Sequence, residues 1–286
     1  MDELHIFGAS GAVGSFLLAR LRVEQRCAMA YSHRVSLPSD HHDDPLRWRQ
    51  LDLWRDADPS HATTIISAGP LDACAAWLAR VDTPMLRRIV ALSSMSIEAK
   101  RDAADAAERD VAERLLGAEH SLRQTCAERG IAWTLLRPTL IWGAAQDRSL
   151  TPLFRFGRRF GFVPVPSVAG GSRQPIHAAD VADACLSTLH GSICASRIIP
   201  LGGAERLSVA DMWIRVARAA TARPLRMPIG LMRAGGGLLG TRGRALRAVL
   251  QRWHNDQVAE SNLAELLPEW RPRGFAPVAT DFSRHD

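Results

Sequence analysis

The chain has 286 residues, 47% hydrophobic and 23% charged, enough to bury a full core as one large domain or two small ones and unlike a disordered or fibrous protein. The formal net charge is +6, but Lys100 is the one lysine, and the arginines are spread along the chain rather than gathered into a nucleic-acid-binding block. No run approaches the ~18 apolar residues that span a membrane, and the sequence enters a strand almost at once, which predicts no signal peptide and a cytoplasmic protein.

Leu4-His5-Ile6-Phe7 is a short apolar run that passes straight into Gly8-Ala9-Ser10-Gly11-Ala12-Val13-Gly14, after which residues 15–21 take up a helical period. Strand, glycine-rich turn and helix open a βαβ unit. Gly8 lets the chain leave the strand in a tight turn, Gly11 lets a pyrophosphate approach the backbone, and Gly14 lets the helix pack closely on the strand. The helix N-terminus then offers free N–H groups to phosphates. Residues 27–31 read as a second strand ending at Ser32-His33-Arg34. An acidic residue ~20 residues past the glycines favours NAD and a basic one NADP. No Asp or Glu lies between Arg26 and Asp40, so His33 and Arg34 point to NADP, with NAD as the alternative.

Residues 35–45 are a polar loop, 48–53 a third strand, and 63–70 a fourth with a Gly-Pro stop. A helix is expected over 71–80 and a buried fifth strand over 88–94. Residues 102–129 form a long helical pattern in which Val111, Leu115, Ala118, Leu122 and Cys126 share a face, ended by Gly130. A sixth strand covers 131–136. Strands alternating with helices through residue 142 imply a Rossmann-type doubly wound parallel α/β sheet. Beyond Gly143 the pattern loosens, with residues 144–175 rich in Gly, Pro, Arg and Phe. A helix opens at His177-Ala178, with Asp180 as its helix-start carboxylate; a short strand follows at 197–201, and Ser208 caps a helix to about Ala220. Residues 224–252 are Gly- and Arg-rich, and the tail is punctuated by Pro. The expected division is a dinucleotide-binding domain over 1–142 and a substrate-side α/β region over 143–286, with 176–201 returning to the sheet. Cys27, Cys74, Cys126, Cys185 and Cys194 have no metal spacing and read as buried thiols in a reducing compartment; no metal site is expected, and the His41-His42 pair sits in a polar loop.

Four further motifs, in order, resemble the extended short-chain dehydrogenase/reductase superfamily, specifically its NAD-dependent epimerase/dehydratase family. They are Leu92-Ser93-Ser94-Met95-Ser96-Ile97, residues 136–143 with Trp142 where Tyr is usual, residues 173–182 around His177, and Leu201-Gly202-Gly203-Ala204-Glu205. The resemblance covers most of the chain. It implies cofactor contacts at Gly8, Ser10, Gly11, Ala12, Val13, Gly14, Ser32, His33, Arg34, Asp52, Leu53, Ser67, Ala68, Gly69, Ser93 and Pro138. It implies a substrate side at Trp142, Arg173 and His177. The family's catalyst is a Tyr four residues before a Lys on the helix after the serine motif, where the lysine lowers the tyrosine's pKa. Here those positions fall at Val111 and Leu115. The single tyrosine, Tyr31, and single lysine, Lys100, cannot form the pair anywhere.

Ser94 aligns with the family's catalytic serine and Ser96 follows one side-chain period on. Both are candidate catalytic residues. Glu98 and Lys100 read as loop charges, and His177 as an anchor of its segment. The expectation is an oxidoreductase or epimerase/dehydratase-like enzyme of atypical type, using NADP(H) on a small, anionic or nucleotide-linked substrate, in a homo-oligomer or a monomer. The alternative is a non-catalytic NAD(P)-binding sensor, regulator or assembly subunit. A third reading, a peripheral membrane or lipid-linked-sugar protein, rests on Leu231-Met232 and Leu238-Leu239 among arginines.

Overall fold

The computed structural model describes residues 3–34, 44–58, 61–101, 103, 105–168, 170–189, 192–232, 256–260 and 262–283. The chain forms two compact units. The first comprises Met1–Pro138, Ala178–Leu201 and Glu260–Arg271; the second comprises Thr139–His177, Gly202–Ala259 and Pro272–Asp286.

The first unit is built on a seven-stranded sheet. Its strands are β1 (Leu4–Phe7), β2 (Ala28–Ser32), β3 (Leu46–Gln50), β4 (Thr64–Ser67), β5 (Arg88–Leu92), β6 (Ala132–Pro138) and β11 (Arg197–Leu201), the intervening numbers belonging to the second unit. Their order is β11-β6-β5-β4-β1-β2-β3, and every neighbouring pair is parallel. This is the doubly wound Rossmann-type α/β fold. The order reverses between β1 and β4, where such sheets leave a crevice beyond the strand ends. Strands β1 and β5 are buried on every residue, as a sheet covered on both faces requires. Helix α1 (Ala12–Val23) buries Val13, Leu17, Leu18 and Leu21, a stripe at helical spacing. Helices α2 (Leu71–Arg80) and α4 (Ala106–Arg129) contribute Trp77, Leu78, Leu122 and Cys126 to one core with Phe7, Ile65 and Leu135. Gly130, at φ 65°, ends α4 in the left-handed conformation.

Some boundaries differ from the sequence reading. The third strand is Leu46–Gln50, and Asp52-Leu53 fall in the turn beyond it. That turn is held by side chains: the Trp54 N–H donates to Asp52 Oδ1 at 3.0 Å, and the Asp52 N–H donates to Asp56 Oδ2 at 2.7 Å. The second strand is shifted by one residue to Ala28–Ser32, the fourth and fifth are shorter than expected, and the sixth, at Ala132–Pro138, begins one residue later and runs two residues further. The long helix begins at Ala106, because the Asp105 carboxylate accepts from the Ala107 N–H and caps it there. Glu98 and Lys100 lie in a separate short helix, α3 (Ser96–Arg101), and not in a loop. On α4, Ala112 is fully buried, while Leu115 is only partly buried against the core. Cys27 is exposed, in the turn before β2, whereas the other four cysteines are buried.

The second unit contains helix α5 (Leu150–Phe160), which the sequence reading did not predict. The Asp147 carboxylate starts it by accepting from the N–H groups of Ser149, Leu150 and Thr151. Strand β8 (Phe162–Pro166) pairs in parallel with β13 (Arg223–Met227), and α7 (Val209–Ala219) is capped by Ser208 as expected. Two-residue strands complete the unit: β7 (Ile141–Trp142) with β10 (Ile176–His177), and β9 (Ser172–Arg173) with β12 (Leu207–Ser208). Its core gathers Trp142, Phe154, Val163, Val165, Trp213, Val216 and Phe275. Helix α6 (Ala178–Ser187) follows β10 in sequence and belongs to the first unit. Most of residues 224–252, including Leu238-Leu239, and the His41-His42 pair lie outside the described residues.

Candidate functional site

The β1–α1 turn has the geometry that its glycines allow. Gly8 sits at φ +72°, and a Cβ there would meet the Gly69 nitrogen at 2.6 Å. A Cβ on Gly14 would stand 2.3 Å from the Gly8 carbonyl oxygen and 2.6 Å from that of Ala9. Both positions therefore require glycine for the close approach of backbone to backbone. Gly11 differs. Its φ is −80°, its N–H donates to the Gly8 carbonyl at 2.9 Å, and a Cβ would meet only that oxygen, at 3.1 Å. Among the described residues nothing else lies within 4 Å of that Cβ. No side chain caps α1 and no acidic residue stands in its first turn. The first N–H groups of α1 thus face outward with a positive dipole end, an arrangement suited to an anion.

A cavity of about 310 Å³ opens beside this turn, lined among others by Gly8, Ser32, His33, Asp52, Leu53 and Gly69. Six of the cofactor positions named from the sequence thus line one cavity. Ser10 and Ser32 join hydroxyl to hydroxyl at 2.8 Å, which ties the glycine turn to the end of β2. The Arg34 N–H donates to Ser32 Oγ at 3.1 Å, and the His33 and Arg34 side chains are exposed. Ser67, at the end of β4, is buried, and Ala68 donates its N–H to the Phe7 carbonyl at 2.9 Å. Ala12 and Val13 are the first residues of α1, and Val13 is buried.

Beyond β5 the serine motif carries a polar network. Ser93 Oγ donates to Glu119 Oε1 at 2.6 Å. Arg137 reaches the same carboxylate with two bonds, of 2.8 and 2.6 Å, and stands 3.6 Å from Glu98. The Glu119 hydrogen bond holds the Arg137 guanidinium further above its ordinary range. Which carboxylate meets Arg137, and that Ser93 joins it, was not readable from sequence, because Glu119 lies 18 residues from Arg137 and 26 from Ser93 on a separate element. Ser94 Oγ donates to Ser96 Oγ at 2.9 Å and accepts the Ser96 N–H at 3.1 Å, so Ser94 also fixes the start of α3. Both hydroxyls are half-buried. Pro138 ends β6, and its carbonyl accepts the Met95 N–H at 3.0 Å. Val111 and Leu115, to which the sequence reading assigned the phenol and ammonium positions, are half-buried on α4.

In the second unit, Trp142, Arg173 and His177 are all buried. His177 packs edge-on against Trp142 at 4.7 Å between ring centroids, and its Nε2 lies 3.6 Å from Asp281 Oδ1. Burial pushes the Asp281 carboxyl up, but the nearby His177 ring and the Val278 N–H outweigh it and hold the group below its usual range. Gly143, at φ +104°, passes directly over the His177 ring, where a Cβ would stand 2.7 Å from Nε2. Gln174 donates from Nε2 to the Gly203 carbonyl at 2.8 Å and accepts the Ala259 N–H at 3.0 Å. The glycine pair is necessary here, since a Cβ on Gly202 or Gly203 would collide with Gln174 or with the Pro175 carbonyl. Among the described residues no group of three or more His, Cys, Asp or Glu could hold a metal. No helix among them is long and apolar enough to cross a membrane.

Fold and turn together define an α/β protein built on the dinucleotide-binding fold. No protein-family model matches the chain, and no curated protein matches it in sequence. Solved structures do. MoeE5 in complex with UDP-glucose and NAD shares 18% identity over 98% of this chain and 97% of its own, with a TM-score of 0.70. The UDP-glucose 4-epimerase of Thermus thermophilus in complex with NAD shares 16% over 98% and 97%, with a TM-score of 0.67. The UDP-N-acetylglucosamine 4-epimerase of Bacillus cereus shares 12% over 99% and 95%, also at 0.67. The likeness is one of fold.

Proposed function

We propose that the chain is an NAD(P)-binding enzyme resembling the short-chain dehydrogenases/reductases: an oxidoreductase or epimerase/dehydratase on a small or nucleotide-linked substrate, working without the Tyr-x-x-x-Lys pair. The observation that carries the reading is the β1–α1 turn. Two of its glycines admit no side chain, the third faces open space, and the helix behind them presents uncapped N–H groups. These residues fit a pyrophosphate, with Ala12 and Val13 offering backbone N–H groups at the start of α1. Ser32, His33, Arg34, Asp52, Leu53 and Gly69 hold the adenosine end, and Ser67, Ala68, Ser93 and Pro138 lie further along the strand ends. Three solved structures of this fold are complexes with NAD and two of them hold a UDP-sugar, which supports the substrate class. Exposed Arg34 and His33, with no carboxylate between Arg26 and Asp40, favour a 2′-phosphate and hence NADP(H).

A bound nicotinamide supplies hydride transfer. This chain's residues then orient and exclude. Ser94 is the hydroxyl assigned to a substrate oxygen: its proton goes to Ser96 Oγ as the chain stands, so that bond must reverse, with Ser96 donating to Ser94, before Ser94 can donate to substrate. Arg137 and Glu119 neutralise each other and keep Ser93 aligned; they hold the wall and move no proton. Trp142, Arg173 and His177 are assigned to the substrate side, where their burial suits holding their own segments rather than reacting.

The missing tyrosine and lysine favour a second reading, a dinucleotide-binding regulator without turnover. Assays against alcohols, ketones and nucleotide sugars with both cofactors separate the two. Slow turnover abolished in Ser94→Ala with Ser96→Ala supports the enzyme. Turnover that survives the double substitution removes the serines from the mechanism, and cofactor binding with no turnover on any substrate selects the regulator.

A further inference from the structure

One surface of the second unit is not used by this reading. Helix α5 ends in Arg158-Arg159-Phe160, and the chain turns through Gly161 into β8. The Arg223 N–H donates to the Gly161 carbonyl at 2.9 Å, and β13 then runs alongside, with Arg223 opposite Phe162 and Leu225 opposite Pro164. The strip continues past β13 to Val168 and Leu231, since the Ser167 N–H donates to the Met227 carbonyl at 2.9 Å. Phe160, Val168, Leu225 and Leu231 are 54%, 54%, 49% and 57% exposed. Arg155, Arg158, Arg159, Arg223 and Arg226, in the same segments, are exposed as well. Segments 150–168 and 221–232 contain no Asp or Glu. The guanidinium of Arg159 lies 5.5 Å from the Phe160 ring centroid, and Phe160 in turn packs against Phe156 at 4.6 Å.

We propose that this α5–β8–β13 face docks the protein on an anionic phospholipid surface. An interfacial site needs apolar side chains to enter the acyl boundary and cations around them to meet lipid phosphates. Here exposed aromatic and aliphatic groups share these segments with guanidiniums, whose stems can lie along apolar surface as that of Arg159 does at Phe160. A polynucleotide rewards the arginines but not the exposed leucines and valine. Strand addition by a second copy at β13 is opposed by Pro224, which lacks a donor, and by the arginines on either side of it. The proposal is independent of the cofactor reading, since every residue in it belongs to the second unit.

The test is co-sedimentation of the full chain with phosphatidylcholine vesicles, with and without phosphatidylglycerol, over a salt series. Binding to the anionic vesicles alone, weakening as salt rises, is expected. Arg158→Glu with Arg223→Glu should weaken it roughly tenfold or more, and Phe160→Ser with Leu225→Ser should weaken it with little change in salt slope. All four side chains are exposed, and matching thermal melts check that the variants fold. Absence of vesicle binding overturns the proposal. So does equal binding to neutral vesicles, or anionic binding untouched by either double variant. So does an oligomer, or a complex with single-stranded DNA, that forms on this face in place of vesicle binding.

Discussion

Gly14 and Gly117 are both helical glycines, and the same substitution should act on them in opposite directions. On Gly14 a methyl group would lie 2.3 Å from one backbone oxygen and 2.6 Å from another, against an ordinary contact of 3.4 Å or more. Neither oxygen belongs to a flexible side chain, so α1 must withdraw from the turn by about 1 Å, an overpacking that costs about 1–3 kcal/mol. The gain in helix propensity, about 1 kcal/mol, offsets part of it. Gly14→Ala should therefore be destabilised by up to about 2 kcal/mol and should lose nucleotide binding, because the displaced segment carries the phosphate-facing N–H groups. Gly117, exposed on α4, has nothing within 4 Å of its would-be Cβ. Gly117→Ala should stabilise by up to about 1 kcal/mol. Urea unfolding of both variants measures the contrast. A Gly14→Ala protein as stable as wild type, binding nucleotide as well, would refute the close packing of helix on turn.

Glu119→Ala should cost about 3 kcal/mol, since it removes a buried carboxylate and strips the half-buried Arg137 of two hydrogen bonds, and unfolding midpoints would show it; a loss below 1 kcal/mol would mean that Glu98 compensates. His5 is buried and its pKa lowered by desolvation, so the unfolded chain binds the proton more readily than the folded one. The stability it contributes is complete above the unfolded value of 6.5 and is lost as pH falls from there toward the folded value. His5→Gln should flatten stability against pH over that window; an unchanged slope would clear His5 of the effect. Arg34→Ala should reduce a preference for NADPH over NADH by about tenfold or more, the loss of one charge-assisted contact; equal affinities in the wild type would place the selectivity elsewhere.

The parts of the fold that were legible in the sequence carry their own punctuation. The helix over 71–80 follows a Gly-Pro stop, the helix after Ser208 has its cap and ends at Ala220, and the strand over 197–201 is a bounded apolar run. Helix α5 was not legible because Pro152 and Gly157 read as breakers. Pro152 falls in the first turn, where no intrahelical donor is needed. Gly157 is where α5 meets Val163, whose methyl a Cβ would touch at 2.8 Å. The third strand was placed late because Asp52-Leu53 continue its apolar alternation, while the hydrogen bonds of Asp52 with Trp54 and Asp56 make a turn. In the candidate site, the glycine turn is local and could be read directly. The Ser93–Glu119–Arg137 network and the His177–Asp281 pair join residues far apart in sequence, and only the folded backbone brings them together.

Isothermal titration of NADPH into wild-type protein and Gly11→Val tests dinucleotide binding most directly. Gly11 has a φ of −80°, which any residue adopts, so the variant should fold, and its isopropyl group should enter the open space where a pyrophosphate would lie. Saturable one-site binding to the wild type, lost in Gly11→Val with the melting curve retained, is the expected result. Equal affinity in the two proteins, or no binding to the wild type, would contradict it.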